Sequence, residues 1–234
     1  IRQKQFQQAF TIAKQVEALN PTLNIGKVLK GNVYFAEKND KEALKSYQQA
    51  YQITPSIKVL DGVLNVLARQ NKPEEALSLL EKELAKRKQS VAIQFRLASA
   101  YQKLGENNLA IKYYELALAK KNNNVIALNN LAWLYSHQNN LKALKTAEKA
   151  YRIAPRSAAI ADTYGYILLQ YGKKQDSLKV LEQAVQLNPN LLDAQLHLAE
   201  AYIANDDKVE ARRILNPLVS QHRLPKAAEL LEGL

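Results

Sequence analysis

The sequence predicts an all-α fold, a solenoid of antiparallel helix pairs, and three observations predict it. Helix-pair signatures recur about every 34 residues along the chain. Turn-forming Asn, Gly, Asp and Pro fall where that frame changes helix. No segment shows the period-2 alternation of a strand that would compete with this reading.

Taken in order, residues 1–23 read as the second helix of a truncated leading unit, with Ala9, Ala13, Val16 and Pro21 in register. The pattern is already running at Ile1 and Phe6, so the chain is read as part of a longer protein whose targeting segment lies upstream. Residues 24–56 form the first full unit, with Gly31 and Tyr34 on helix A, Ala43, Tyr47 and Ala50 on helix B, and Pro55 closing it. Residues 57–90 are the weakest copy. Ala76, Leu80 and Leu84 fit helix B, but Val63-Leu64 stands where a large-small pair is expected, and Gly62 sits two positions early. Residues 91–124 restore the pattern with Leu97, Ala98, Tyr101, Gly105, Ala110, Tyr114 and Ala117.

Residues 125–157 carry Leu131, Ala132, Tyr135, Ala143, Ala147, Ala150 and Pro155, one residue short in the turn at Asn139-Asn140. Residues 158–191 hold the clearest copy, with Tyr164-Gly165, Gly172, Leu181, Ala184 and Pro189. In residues 192–222, Leu198, Ala199, Tyr202, Ala211 and Leu215 keep the frame. Pro217 lies inside the last helix B, where a missing N–H should bend or shorten it. Residues 223–234, with Ala227, Ala228, Leu230 and Leu231 after Pro225, read as a capping helix over the last apolar face.

Composition narrows the function classes. Cysteine is absent, which removes disulfides, thiolate catalysis and cysteine metal sites together. No run of eighteen apolar residues marks a membrane span. His137, His197 and His222 are scattered without metal-ligand spacing, and no phosphate loop or nucleophile motif occurs. Glu74-Glu75 and Asp206-Asp207 open helix B segments, where negative charge suits the helix dipole. The chain is therefore read as a non-enzyme with no cofactor, no metal and no catalytic residue. Its net charge of +11 favours anionic partners. Lys142, Lys145, Lys149, Arg152 and Arg156 step by three or four along one expected helix, a solvated face or a docking strip for an acidic polymer or anionic headgroups. Nucleic acid is not expected, because Asp61, Asp162 and Glu200 interrupt any basic-aromatic track.

These offsets resemble the tetratricopeptide repeat (TPR) family over essentially the whole chain. The resemblance implies a right-handed superhelical solenoid that binds a protein or peptide partner in a concave groove lined by the A helices. A narrower resemblance lies in "ALNNLAWLYSHQNNLKALKTAEKAYRIAP", "AIADTYGYILLQYGK" and "LHLAEAYIANDDKVEARRIL". These phrases are similar to the bacterial TPR lipoprotein of the PEP-CTERM/exosortase system (PrsT-like) and to periplasmic repeat proteins of exopolysaccharide export. That implies a periplasmic or outer-membrane location, with an upstream lipid anchor as the membrane attachment. A cytoplasmic location is the alternative.

Carrying the family's groove positions onto this sequence gives a first row of Asn32, Asn65, Ser99, Trp133, Tyr166 and Glu200. A second row holds Val28, Asp61, Phe95, Asn129, Asp162 and Leu196, with Arg69, Arg96, Lys103, Asn130 and His137 beside them. Trp133 and Tyr166 occupy one position in successive units, so their rings are expected side by side. Either they pack on neighbouring helices or they form a platform for a sugar ring or peptide side chain, with Asn129, Asn130, Asp162 and His137 orienting it. An exopolysaccharide is thus the alternative ligand to a peptide. Capture of a chaperone C-terminal tail is not expected, because Val28 and Asp61 occupy the position where that function needs lysine.

Overall fold

A computed structural model describes residues 2–234 of the chain, with side chains from Lys4 onward. Ile1, counted in the leading helical pattern, lies outside the described residues. Every regular element among the described residues is an α-helix: α1 (Arg2–Leu19), α2 (Ile25–Ala36), α3 (Asp40–Ile53), α4 (Ile57–Arg69), α5 (Pro73–Lys86), α6 (Val91–Lys103), α7 (Asn107–Lys120), α8 (Val125–His137), α9 (Lys142–Ile153), α10 (Ala158–Gln170), α11 (Lys174–Leu187), α12 (Leu192–Ala204), α13 (Lys208–Ser220) and α14 (Pro225–Glu232). The chain divides into two compact units, Ile1–Ala110 and Ile111–Leu234.

The reversals between paired helices share one backbone device. Lys38, Asn71, Gly105, Asn139, Gly172 and Asp206 all take positive φ, one in each A-to-B turn. A single left-handed residue ends a helix and reverses the chain at low cost when it is Gly or Asn. Side-chain caps start helices of both kinds: Asn39 and Asp207 before α3 and α13, and Ser56, Ser90 and Asn124 before α4, α6 and α8, each accept from the backbone N–H three residues on.

In the first unit, Tyr47 of α3 is the wedge. A Cβ on Gly31 or on Gly62 would lie 2.7 Å from its ring, so glycine on α2 and on α4 makes room for one buried tyrosine. This accounts for Gly62 standing out of the repeat frame. The ring packs with Ala43, Val63, Val66 and Leu67, and its hydroxyl donates to Asn32 Oδ1 at 2.7 Å. In the second unit, the fully buried Ser177 of α11 donates to the Gly165 carbonyl at 2.7 Å, and Leu181 fills the space over Gly165.

Successive repeats are also joined by tyrosine–carboxylate hydrogen bonds. Tyr101 donates to Glu81 at 2.7 Å, Tyr202 to Glu182 at 2.8 Å and Tyr135 to Glu115, each reaching back from a helix A to the preceding helix B. Tyr51 of α3 donates to the buried Glu83 of α5 at 2.5 Å. Burial, reinforced by the carboxylate at Glu83 or Glu182, pushes Tyr51 and Tyr202 up to about 12.

Two sequence expectations need correction. α13 continues through Pro217 and, at 13 residues, is as long as α12, so the proline does not shorten it. Arg156 lies beyond the end of α9, after Pro155, so the basic stripe on that helix is Lys142, Lys145, Lys149 and Arg152. At the C-terminus, α14 buries Ala227 against Ala199, Leu215 and Leu218.

Glycine replacement should separate strain from crowding. Gly105→Ala meets no atom within 4 Å, so its cost is that of φ +78°, about 1–2 kcal/mol. Gly165→Ala would press on buried Leu181 and cost about 1–3 kcal/mol. Urea denaturation of each variant measures both. Because the folded state holds the phenolic protons of Tyr51 and Tyr202 more tightly than the unfolded chain, stability is intact below their ordinary value of 10.0 and declines from there to about pH 12. Melting curves from pH 8 to 12 should show that decline, and Tyr51→Phe with Tyr202→Phe should make it shallower.

Candidate functional site

The residues expected to line a groove separate into two sites, one in each unit. In the first, a pocket of about 430 Å³ opens among α4, α5 and α6. Leu64, Ala68, Ala76, Leu80 and Phe95 give it an apolar lining, while Asn65, Arg96, Ser99 and Lys103 supply polar groups. Its origin is legible in the repeat pattern. Gly31, Ala98, Ala132, Gly165 and Ala199 hold one position of helix A across the other five repeats, and Leu64 stands there in the second. A small residue lets helix A close on helix B; a leucine holds α4 away from α5.

The polar groups around this pocket differ in availability. Arg96 grips both carboxylate oxygens of Asp61 and donates to the Ala92 carbonyl at 2.8 Å. Arg69 is occupied elsewhere: it donates to the Phe35 carbonyl at 2.7 Å, pairs with Asp40 and lies 3.7 Å from the Phe35 ring centroid. Asn32 is exposed, but its carbonyl oxygen already accepts from Tyr47. Arg69 and Arg96 are therefore held by the preceding repeat, and Asn32 by its own. Asn65 and Lys103 are exposed with no hydrogen-bond or ion-pair partner among the described residues, which leaves them open to a ligand.

In the second unit the expected neighbours do meet. The Trp133 and Tyr166 rings lie 5.5 Å apart at 36°. The ladder extends at both ends: His137 sits 4.3 Å from Trp133, and His197 stacks on Tyr166 at 4.2 Å and 26°. His137 Nδ1 donates back to the Trp133 carbonyl at 2.9 Å. Asn130 donates to Tyr114 Oη at 2.8 Å, and Asn129 Oδ1 is enclosed without a partner. Asp162 corrects the expectation of a solvated groove carboxylate. It is 7% exposed, and its Oδ1 accepts from His197 Nδ1 at 2.7 Å.

His197 was not among the expected site residues, although its signal was in the spacing. Asp61 and Arg96 are 35 residues apart, and so are Asp162 and His197. Both pairs link a carboxylate on one helix A to a nitrogen donor on the next. Burial separates them: the Asp61 side chain is 41% exposed and the Asp162 side chain 10%.

These features define a repeat scaffold of paired helices with an apolar pocket in its first unit. Two family models, both described as tetratricopeptide repeat, match residues 4–134 and 168–234. The first covers more than half of the sequence, and the chain belongs to the tetratricopeptide repeat family. No curated protein matches it significantly.

Among solved structures, the APC/C hetero-tetramer Cut9-Hcn1 is similar at 17% identity and TM-score 0.78, over 97% of this chain and 46% of that one. This chain thus spans less than half the length of that relative. PilF of Pseudomonas aeruginosa matches at 14% identity and TM-score 0.76, over 90% of this chain and 97% of its own. YrrB, described as a TPR protein with an unusual peptide-binding site, matches at 17% identity and TM-score 0.65, over 82% of this chain and 100% of its own. Likeness at these identities shows the fold.

The two carboxylate pairs should respond differently to loss of the donor. His197→Ala leaves Asp162 buried and unpaired, at a cost of about 3 kcal/mol. Arg96→Ala leaves a carboxylate that water reaches, at a cost of about 1 kcal/mol or less. Denaturant titration of both variants gives the comparison, and Asp162→Asn added to His197→Ala should recover part of the larger loss.

Proposed function

We propose that this chain is a non-enzymatic scaffold that binds an extended peptide of a partner protein across the A helices of its first unit, seating one apolar side chain in the pocket among α4, α5 and α6. The carrying observation is that pocket, with its apolar lining and the unpartnered Asn65 and Lys103 beside it. Its volume suits a side chain or two, and the free amide and ammonium supply the few placed polar groups that fix a ligand's orientation. TPR folds bind protein or peptide partners, and the peptide-binding site named for YrrB agrees with that mode.

The alternative ligand, an exported polysaccharide stacking on Trp133 and Tyr166, has less support. Those rings lie against each other and against His137 and His197, which takes up faces a sugar would use. The phrases of the second half that are similar to the exosortase-associated lipoprotein support a bacterial envelope or exopolysaccharide-export setting for the peptide partner.

Peptides selected from a random display library on the wild-type protein test the reading. Ala68→Trp, which fills the pocket from an exposed position, should weaken the selected peptides at least tenfold, and Asn65→Ala several-fold. Unchanged affinity for the filled variant would move the binding face elsewhere.

A further inference from the structure

The basic stripe on α9 is not absorbed by the groove. Residues 111–234 carry 16 Lys and Arg against 12 Asp and Glu, and the segment 142–156 holds five of those cations and only Glu148. Outside that segment the unit carries 11 of each sign, so its whole excess of +4 sits on one helix and the residue group just after it. α9 packs inward through Ala143, Ala147 and Ala150, which turns the cations to solvent. Lys145, Lys149 and Arg156 are exposed and have no partner among the described residues. Lys142 reaches Glu115 at 3.2 Å and Arg152 pairs with Glu148 at 2.6 Å, with side chains still 66% and 76% exposed. The basic run at the end of α5 differs, because Lys86 and Arg87 turn onto the buried Glu83.

Apolar side chains flank the stripe. Leu141, just before α9, is 85% exposed, and Ile153 at its end is 45% exposed. From these observations we infer that α9 is a peripheral docking surface for an anionic lipid bilayer, with the cations over the headgroups and Leu141 entering the interface.

The arrangement favours a bilayer over an acidic protein. A protein interface needs a desolvated apolar centre, and solvated ion pairs alone hold little. α9 offers no large exposed apolar residue between its cations; Leu141 and Ile153 lie only at the ends. Three of the five cations are lysines, compact charges without the fork that reads a carboxylate bidentately. Diffuse attraction to a densely charged plane suits that chemistry, and clustered basic residues on a helix contribute additively there. No helix among the described residues is long and apolar enough to cross a membrane, so the contact proposed is with the surface.

Co-sedimentation of the full chain with vesicles tests this. Vesicles of 70% phosphatidylcholine and 30% phosphatidylserine should carry down the protein at 0.1 M salt and release it at 0.5 M, while pure phosphatidylcholine should not bind it. Each cation removed should lower partitioning about fivefold, so Lys145→Gln with Lys149→Gln should lose about 25-fold. Leu141→Ser should weaken binding further without changing its salt dependence. All three substituted positions are exposed, and unchanged melting temperatures confirm folding. Ala68→Trp should bind vesicles like the wild type, which keeps this result separate from the peptide pocket. Equal sedimentation of the double lysine variant would overturn the inference, as would tighter binding to soluble polyglutamate or heparin than to the anionic vesicles.

Discussion

Close approach of paired helices at one small residue per repeat is the constraint on which the rest depends. Ala43, Ala76, Ala110, Ala143, Ser177 and Ala211 recur at that position of helix B, and all but half-buried Ala76 are fully enclosed. An interior packed this tightly tolerates no extra methyl group without displacement. Where serine replaces alanine, its hydroxyl needs a partner in the core, and the Gly165 carbonyl accepts from it. The exposure of Ala76 marks the one repeat in which helix A carries a leucine opposite it. The pocket in the first unit is therefore a local failure of the packing rule that builds every other pair.

Polar contacts add a second layer that joins one repeat to the next. Tyrosine hydroxyls meet carboxylates at the repeat junctions, while Asp61 and Asp162 each reach a donor 35 residues on. Such bonds contribute modestly to stability, but a buried acceptor left without its donor is costly. They also sort the polar residues of the A helices. Arg69, Arg96, Asn32 and Asp162 are committed to holding the scaffold, whereas Asn65 and Lys103 remain free. A row of polar side chains on a repeat surface is thus a mixture of fasteners and binding groups, and only the partner of each tells them apart.

The wedge at Tyr47 shows how an irregular repeat is repaired. Gly62 breaks the sequence frame, yet it clears the same ring that Gly31 clears from the other side. The aromatic ladder in the second unit follows similar logic, since ring contacts between neighbours replace the apolar packing that a leucine or valine would have provided.

The helix pairs were legible in the linear order of residues, because the 34-residue recurrence of small and large side chains, with a turn residue at each reversal, is a local and repeated signal. The side-by-side placement of Trp133 and Tyr166 followed from the same period. What the linear order left open was which polar side chains are spent. The burial of Asp162, the stacking of His197 and the capture of Arg69 by Asp40 and Phe35 each join residues about a repeat apart. Rotamers and the exclusion of water decide those contacts. Periodicity places a residue on a helix face; only packing against the next helix decides whether its charge meets a partner or the solvent.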